Sequence, residues 1–461
     1  MLKKIICVLL SAATVSMCLA ACGQKEQADY SGKTVISVGG WPSDNQPERK
    51  AQMEGYVSKL NEKYPDIKIE PDEWTYDTNS FVPKASSGQL PTLYSTYLTE
   101  IKKIINAGYC AEITDEMKEA GFYDWLTPTM KDLVEKDGKI YGMPCGIYVM
   151  GLTCNTKLFK DAGLTDENGV PIFPKTYEEL AKTASIIKEK TGKAGLILPT
   201  INNCGGWHFM NIAWSYGTKF MEQDSDGRWF ATFDSPEAVA ALQYVKDLKW
   251  KYNVLPDNAF VDIPEMQKCF ATDQAAMYFS APVDDALVET YSMPIDRYSI
   301  APMPAGPAGR YALTGGMCYM FNANSTKEQI GAGLKWLENI GVTPFVNEEI
   351  LKVTEDGYRL RQQEGKIVGI KSVSDWGNAE SKKAKSELVE KYANIDRRLV
   401  EQYEANDNVT SKAEEPMNSQ ELYKILDACI QSVLTDKNAD PAELIKNANS
   451  DFQKNYLDKI N

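Results

Sequence analysis

The chain has 461 residues, with 50 Lys and Arg against 64 Asp and Glu, one histidine and ten cysteines, for a formal net charge of −14. Hydrophobic residues at 43% and charged residues at 25% are globular values that exclude a disordered or collagen-like chain, and the length suits two domains. The acidic balance argues against nucleic acid as a partner. The lone imidazole, His208, excludes metal sites needing two or more, so no metal or other cofactor is expected, and it leaves a Ser/His/Asp triad one possible base.

In chain order, Lys3 and Lys4 precede an apolar run over residues 5–21, a secretory signal too short for a stable membrane span. Leu19-Ala20-Ala21-Cys22-Gly23 resembles the lipobox of bacterial lipoproteins, which implies cleavage before Cys22 and a lipid anchor on it. Residues 1–21 then read as signal peptide and 22–33 as a polar tether, and the mature charge is about −16. The remaining cysteines, Cys110, Cys145, Cys154, Cys204, Cys269, Cys318 and Cys429, show no C-x-x-C spacing. Most read as small buried hydrophobes, with one disulfide left open.

Residues 33–38 read as a buried strand ended by Gly39-Gly40-Trp41. Pro47 opens a helix with Met53, Tyr56, Val57, Leu60 and Tyr64 on one face, and residues 66–70 form a second strand. This βαβ grammar predicts an α/β fold with parallel sheets. Thr176 with Glu179 is a capping box, residues 196–198 a strand, Ser235-Pro236 a helix start, Ser325 with Glu328 a second capping box, and Pro441 the start of a last helix. Asp137-Gly138 and Asp226-Gly227 mark hairpin turns; in calcium-loop register the latter places Phe233 where a Glu is needed. Residues 376–418 are charged and read as a solvated helical pair. Nucleophile-elbow, dinucleotide and phosphate-loop motifs are all missing from the sequence, so nothing positive supports an enzyme.

One ordered set of segments resembles a known family. It comprises Gly138-Lys-Ile-Tyr-Gly-Met-Pro144, Gly151-Leu-Thr-Cys-Asn155 with Phe159 and Gly163-Leu164, Pro174-Lys-Thr176-Tyr-Glu-Glu-Leu180, Ala275-Ala-Met277-Tyr-Phe-Ser280, and Ala301-Pro-Met-Pro304 through Arg310, then Gly315-Gly316. In order and spacing this is similar to the solute-binding lipoproteins of ABC importers, in the sugar-binding class related to maltose-binding protein. Cys154 and Pro91-Thr92 depart from the usual pattern. The resemblance implies a periplasmic-binding-protein type II-like fold, two α/β lobes with a multi-strand hinge and a cleft between them. It implies lobe 1 over 34–145, lobe 2 over 146–315, a return to lobe 1 over 316–370, and lobe 2 with C-terminal helices over 371–461. It also implies a monomer outside the cell, a carbohydrate ligand and ABC permease subunits as partners.

A sugar site needs flat aromatic platforms and bidentate polar groups. Trp41 at a strand end, Trp207 and His208 in a loop read from Gly205-Gly206, and Trp376 past a third crossing are the candidate platforms. Asp44 and Asp284 are candidate hydroxyl acceptors. The resemblance places Tyr97 and Glu100 beside the cleft and Tyr148 at the hinge, where Gly316 would allow close approach; Tyr423 is a further platform. The rival readings are a binding protein for a peptide, an amino-sugar or a polyamine, and a cell-surface glycosidase or esterase.

Overall fold

The computed structural model describes residues 32–78, 80–371, 376–405 and 408–460. The signal segment and Cys22 lie outside the described residues. β1 (Thr34–Val38), α1 (Pro47–Lys63) and β2 (Ile67–Pro71) form the predicted βαβ unit, with Thr34 opposite Ile67 and Val38 opposite Pro71 in parallel register. β3 (Leu93–Tyr97) joins β1 in parallel on its other side. β4 (Met143–Val149) leads into β5 (Gly151–Asn155), α2 (Tyr177–Thr191), α3 (Cys204–Tyr216), α4 (Pro236–Trp250), β6 (Met277–Ser280) and β7 (Tyr298–Pro302). The chain returns on β8 (Tyr311–Phe321), then runs through α5 (Lys327–Asn339), α6 (Glu348–Gln363), α7 (Ala379–Tyr392), β9 (Thr410–Ala413), α8 (Ser419–Thr435) and α9 (Pro441–Asn455).

The larger sheet has the order β9-β8-β3-β1-β2, with β4 also paired to β8, and the smaller has the order β6-β5-β7. Parallel pairing holds for β1, β2 and β3, but β8 runs antiparallel to both β3 and β4, and the smaller sheet is antiparallel throughout. The larger sheet is therefore mixed, because β4 and β8 traverse from one lobe to the other in opposite directions.

Two separate apolar cores define the lobes. Ile36, Ile69, Leu93, Ile104 and Trp336 belong to the first; Leu152, Phe159, Phe209, Phe279 and Leu426 to the second. β4 gives Met143 and Ile147 to the first core and Val149 to the second, whereas β8 gives Ala312 and Leu313 to the second and Cys318, Met320 and Phe321 to the first. The expected return segment 316–370 is divided: Phe345 packs on the first core, but Ile367 and Ile370 lie in the second.

Local signals account for most element starts. Thr176 and Ser235 cap α2 and α4 through their hydroxyls, and Asp137 and Gly138 take positive φ in a tight hairpin turn. At α5 the capping box is Thr326 with Gln329, one residue later than expected, because that pair satisfies both orphan N–H groups reciprocally. Residues 196–198 form no strand; they lie beside β6, with the Ile197 N–H donating to the Met277 carbonyl at 3.0 Å. Residues 376–418 are not a helical pair: after α7 comes a short helix, Glu401–Ala405, and then β9, which completes the larger sheet.

Two expected platforms belong to the first core. Beyond β1, Gly39, Gly40 and Trp41 donate in turn to the carbonyls of Leu93, Trp74 and Asp72. That path turns the Trp41 indole inward, where it is 5% exposed and stacked on Trp336 at 5.9 Å. Trp376 is 3% exposed, packed edge-on against Phe122 at 5.9 Å in the first core, rather than in the second lobe. Truncating a buried indole costs about 3–5 kcal/mol. Trp41→Ala is therefore expected to lower the melting temperature sharply while preserving the increment a bound ligand adds; wild-type stability in heat and urea melts would contradict the core placement.

Candidate functional site

The space between the lobes is built around a residue the sequence reading passed over, Glu414. It directly follows β9, whose parallel pairing to Tyr311–Thr314 of β8 sets its position at the lobe junction. Glu414 accepts a hydrogen bond from the Tyr423 hydroxyl of α8 at 3.1 Å, and the Trp207 indole of α3 lies near enough to favour its charged form. The neighbouring Glu415 accepts from the Trp214 indole at 2.9 Å and pairs with Lys412 at 3.1 Å. Trp207 and Trp214 are seven residues apart on α3 and so share a face; their indoles anchor two consecutive carboxylates.

α3 starts where a loop was expected, and its glycines explain why. A Cβ at Gly206 would collide with the Tyr423 backbone, and one at Gly205 would lie 2.7 Å from the Asp427 carboxylate. The glycines let α3 and α8 approach closely enough for Trp207 and Tyr423 to reach the same acid. Asp427 accepts the N–H groups of Asn203 and Gly206 at 2.8 and 2.7 Å, capping a helix whose own first residues do not. Burial pushes its carboxyl up to about 6.

From the first lobe, Tyr97 ends β3 with its ring 43% exposed and edge-on to Tyr76 at 5.4 Å. Glu100 is buried and accepts the Tyr76 hydroxyl at 2.8 Å. Tyr148, on β4, lies over Gly315, where any Cβ would strike its ring, and burial with the nearby Glu414 carboxylate holds its hydroxyl protonated. Lys103 reaches Glu100 at 3.7 Å and, across the lobes, Glu421 at 3.5 Å. Burial raises the Glu414 carboxyl to about 7; the Tyr423 and Trp207 hydrogen bonds act against it, and the Glu100 charge adds to it.

Of the expected residues, Trp207 and Tyr423 act directly on Glu414, with Tyr148 and Glu100 near enough to feel its charge, while Tyr97 is exposed at the end of β3; Tyr423, 1% exposed, belongs to the second core and Glu100, 3% exposed, is packed inside the first lobe, so neither offers an open face. Gly316 sits in the β8 irregularity between Gly315 and Met317, its position packed on Ile147. The others lie elsewhere. Asp44 is on the surface, paired with Lys50 at 2.5 Å. Asp284 is turned into the second lobe, where it accepts from Gln267 at 2.8 and 3.0 Å and from Tyr278 at 2.9 Å. His208 is 3% exposed, with its ring nitrogens 2.8 and 3.0 Å from the Cys204 and Phe279 carbonyls, and burial lowers it to about 4. Among the described residues no disulfide joins the cysteines and no cluster has metal-ligand geometry.

Two α/β lobes sharing a pair of antiparallel strands, with aromatic rings and acids from both facing the junction, define the class of hinged two-lobe binding proteins. A family model described as bacterial extracellular solute-binding protein matches residues 43–341, well over half of the chain, and the chain belongs to that family. A protein of Brucella abortus is 25% identical over 251 residues, covering 51% of this chain and 57% of that protein. The arabinooligosaccharide-binding protein of Bacillus subtilis is 22% identical over 257 residues, covering 54% and 55%. The chain thus spans little more than half the length of these curated relatives in the match. A solute-binding protein from Thermotoga lettingae, solved with α-D-tagatose bound, shares the fold at a TM-score of 0.68 and 20% identity, covering 92% of this chain and 99% of that one.

The Glu414 environment sets a pH dependence. Unfolded, the carboxyl has its ordinary value of 4.5; folded, it is near 7, so the folded state holds the extra proton. Its contribution to stability is complete below pH 4.5 and is lost as pH rises through 7. Glu414→Gln cannot lose a proton. In the ligand-free protein it should melt progressively higher than wild type between pH 5 and pH 8, by an amount on the order of 2 kcal/mol. A constant difference across that range would disprove the assignment.

Proposed function

We propose that the chain is the receptor of an ABC importer: it captures a carbohydrate between its lobes and delivers it to the membrane permease. The observation that carries the reading is a lobe junction with accessible rings from both sides, the exposed Tyr97 from one lobe and the half-buried Trp207 from the other, with Glu414 beside Trp207 and Tyr148 on the hinge strand. Ring faces of this kind stack on the apolar faces of a sugar, and an ionised carboxylate accepts two hydroxyl hydrogen bonds. The family and the fold support this role, and the arabinooligosaccharide-binding relative, with the neighbour solved with α-D-tagatose, supports a carbohydrate as ligand.

In this reading the lobes close by rotation about β4 and β8. A ligand favours the closed state only by contacts it makes better there than in the open one, which groups drawn from both lobes supply. No bond is broken. Lipid on Cys22 would hold the monomer at the outer face of the membrane, with the polar residues after it as tether.

A thermal-shift panel of mono-, di- and oligosaccharides should give at least one ligand that raises the melting temperature, with the sugar recovered unchanged. Trp207→Ala should remove that response at little cost in the unliganded melt compared with Trp41→Ala. Absence of any carbohydrate response would sink the reading, and release of shortened products would favour a glycosidase. For the anchor, Cys22→Ala is expected to move the protein from the membrane fraction to the medium.

A further inference from the structure

We propose that Asp427 is a positioning residue for the cleft: without touching the ligand, it fixes the backbone from which the Trp207 ring enters the lobe junction. The proposal rests on the reading of Trp207 as a ligand-facing ring and deepens it.

Trp207 is the fourth residue of α3, in the first turn, where backbone N–H groups have no partners inside the helix. Nor does this turn cap itself. Asn203, at the cap position, makes no side-chain cap bond, and Asn202 and Asn203 both stand in the left-handed region, with φ of 62° and 65°. Two successive non-glycine residues in that region are strained and persist only where their surroundings fix them. Here the surroundings are one stripe of α8. Gln420, Tyr423, Asp427 and Gln431 recur at spacings of three and four residues and so share a helical face. All four contact the segment that leads into Trp207. The Asn203 side-chain amide donates to Gln420 at 3.2 Å, and Gln431 donates to the Thr200 carbonyl at 2.6 Å. Between them the Asp427 carboxylate accepts the Asn203 and Gly206 N–H groups at 2.8 and 2.7 Å, and the Tyr423 backbone lies against Gly206. Asp427 is 5% exposed, so removing its oxygens leaves both N–H donors unmatched. Trp214, two turns further along α3, is held instead by the helix ladder and by Glu415 at 2.9 Å.

The test uses the full mature chain carrying 5-fluorotryptophan, whose nine tryptophans give separate fluorine resonances; Trp207→Phe identifies that of Trp207. Asp427→Ala should shift the Trp207 resonance and make it about twofold broader while leaving that of Trp214 in place. Asp427→Asn, which keeps one of the two acceptors, should fall between. Asn203→Gly suits the left-handed turn but gives up the Gln420 contact, so it should melt no lower than wild type and still broaden the Trp207 resonance. An unchanged Trp207 resonance in Asp427→Ala overturns the proposal, as does an equal displacement of Trp207 and Trp214, which would mean that α3 moves as a whole. Should Asp427→Ala fail to fold, an undisturbed Trp207 resonance in both other variants overturns it. No ligand is needed, so this failure is distinct from that of the carbohydrate reading, which the sugar panel decides.

Discussion

The structure depends on two strands that belong to neither lobe alone. β4 and β8 lie side by side, and each spends its apolar side chains on two cores in succession. Because their pairing runs from one core to the other with one break in register, the lobes cannot separate without breaking backbone hydrogen bonds, yet each core closes without the other. Freedom between the lobes is thus confined to the stretch where the ladder is irregular, between Gly315 and Met317, with the Tyr148 ring lying on Gly315. A larger residue at Gly315 would meet that ring, so hinge and cleft wall are coupled through one contact.

The same arrangement gives Glu414 its half-buried place at the junction. β9 can reach β8 only at the half that feeds the second core, and this delivers Glu414 to the junction with α3 and α8 on one side and the first lobe on the other. Held by two neutral donors and opposed by Glu100, the carboxylate is a local weakness in the unliganded protein. Weakness of this kind is common where a binding group waits for its partner, because the interaction missing in the free state becomes differential affinity in the bound one.

What the sequence made legible divides along physical lines. Signals acting over a few residues were readable: the hydroxyl caps at Thr176 and Ser235, Pro47 opening α1, the turn at Asp137-Gly138, and the alternation of Ile36 and Val38. Misreadings arose where distant backbone decided the outcome. Trp41 does sit at a strand end, but hydrogen bonds to Trp74 and Asp72 turn it inward. Gly205 and Gly206 resemble a loop, yet their lack of side chains serves helix packing against Tyr423 and Asp427. Glu414 stands in a charged stretch that looks solvated, and only the pairing of β9 to a strand about a hundred residues earlier brings it inside. The one local hint was the seven-residue spacing of Trp207 and Trp214 on a strongly apolar helix.

The threading of the chain also bears on how it reaches this state. The first core is not finished when residues 34–145 have emerged: it still lacks the half of β8 that pairs with β3, then α5 with Trp336, and finally Trp376. β9 is later still. Neither lobe is a continuous stretch that can mature as it is synthesised, and the contacts that complete both cores span much of the sequence. Such long-range closure favours folding after the whole chain is available, with incomplete cores exposed until then. For a chain exported before it folds, the delay works in its favour, because neither core can be completed while the C-terminal segment is still to come.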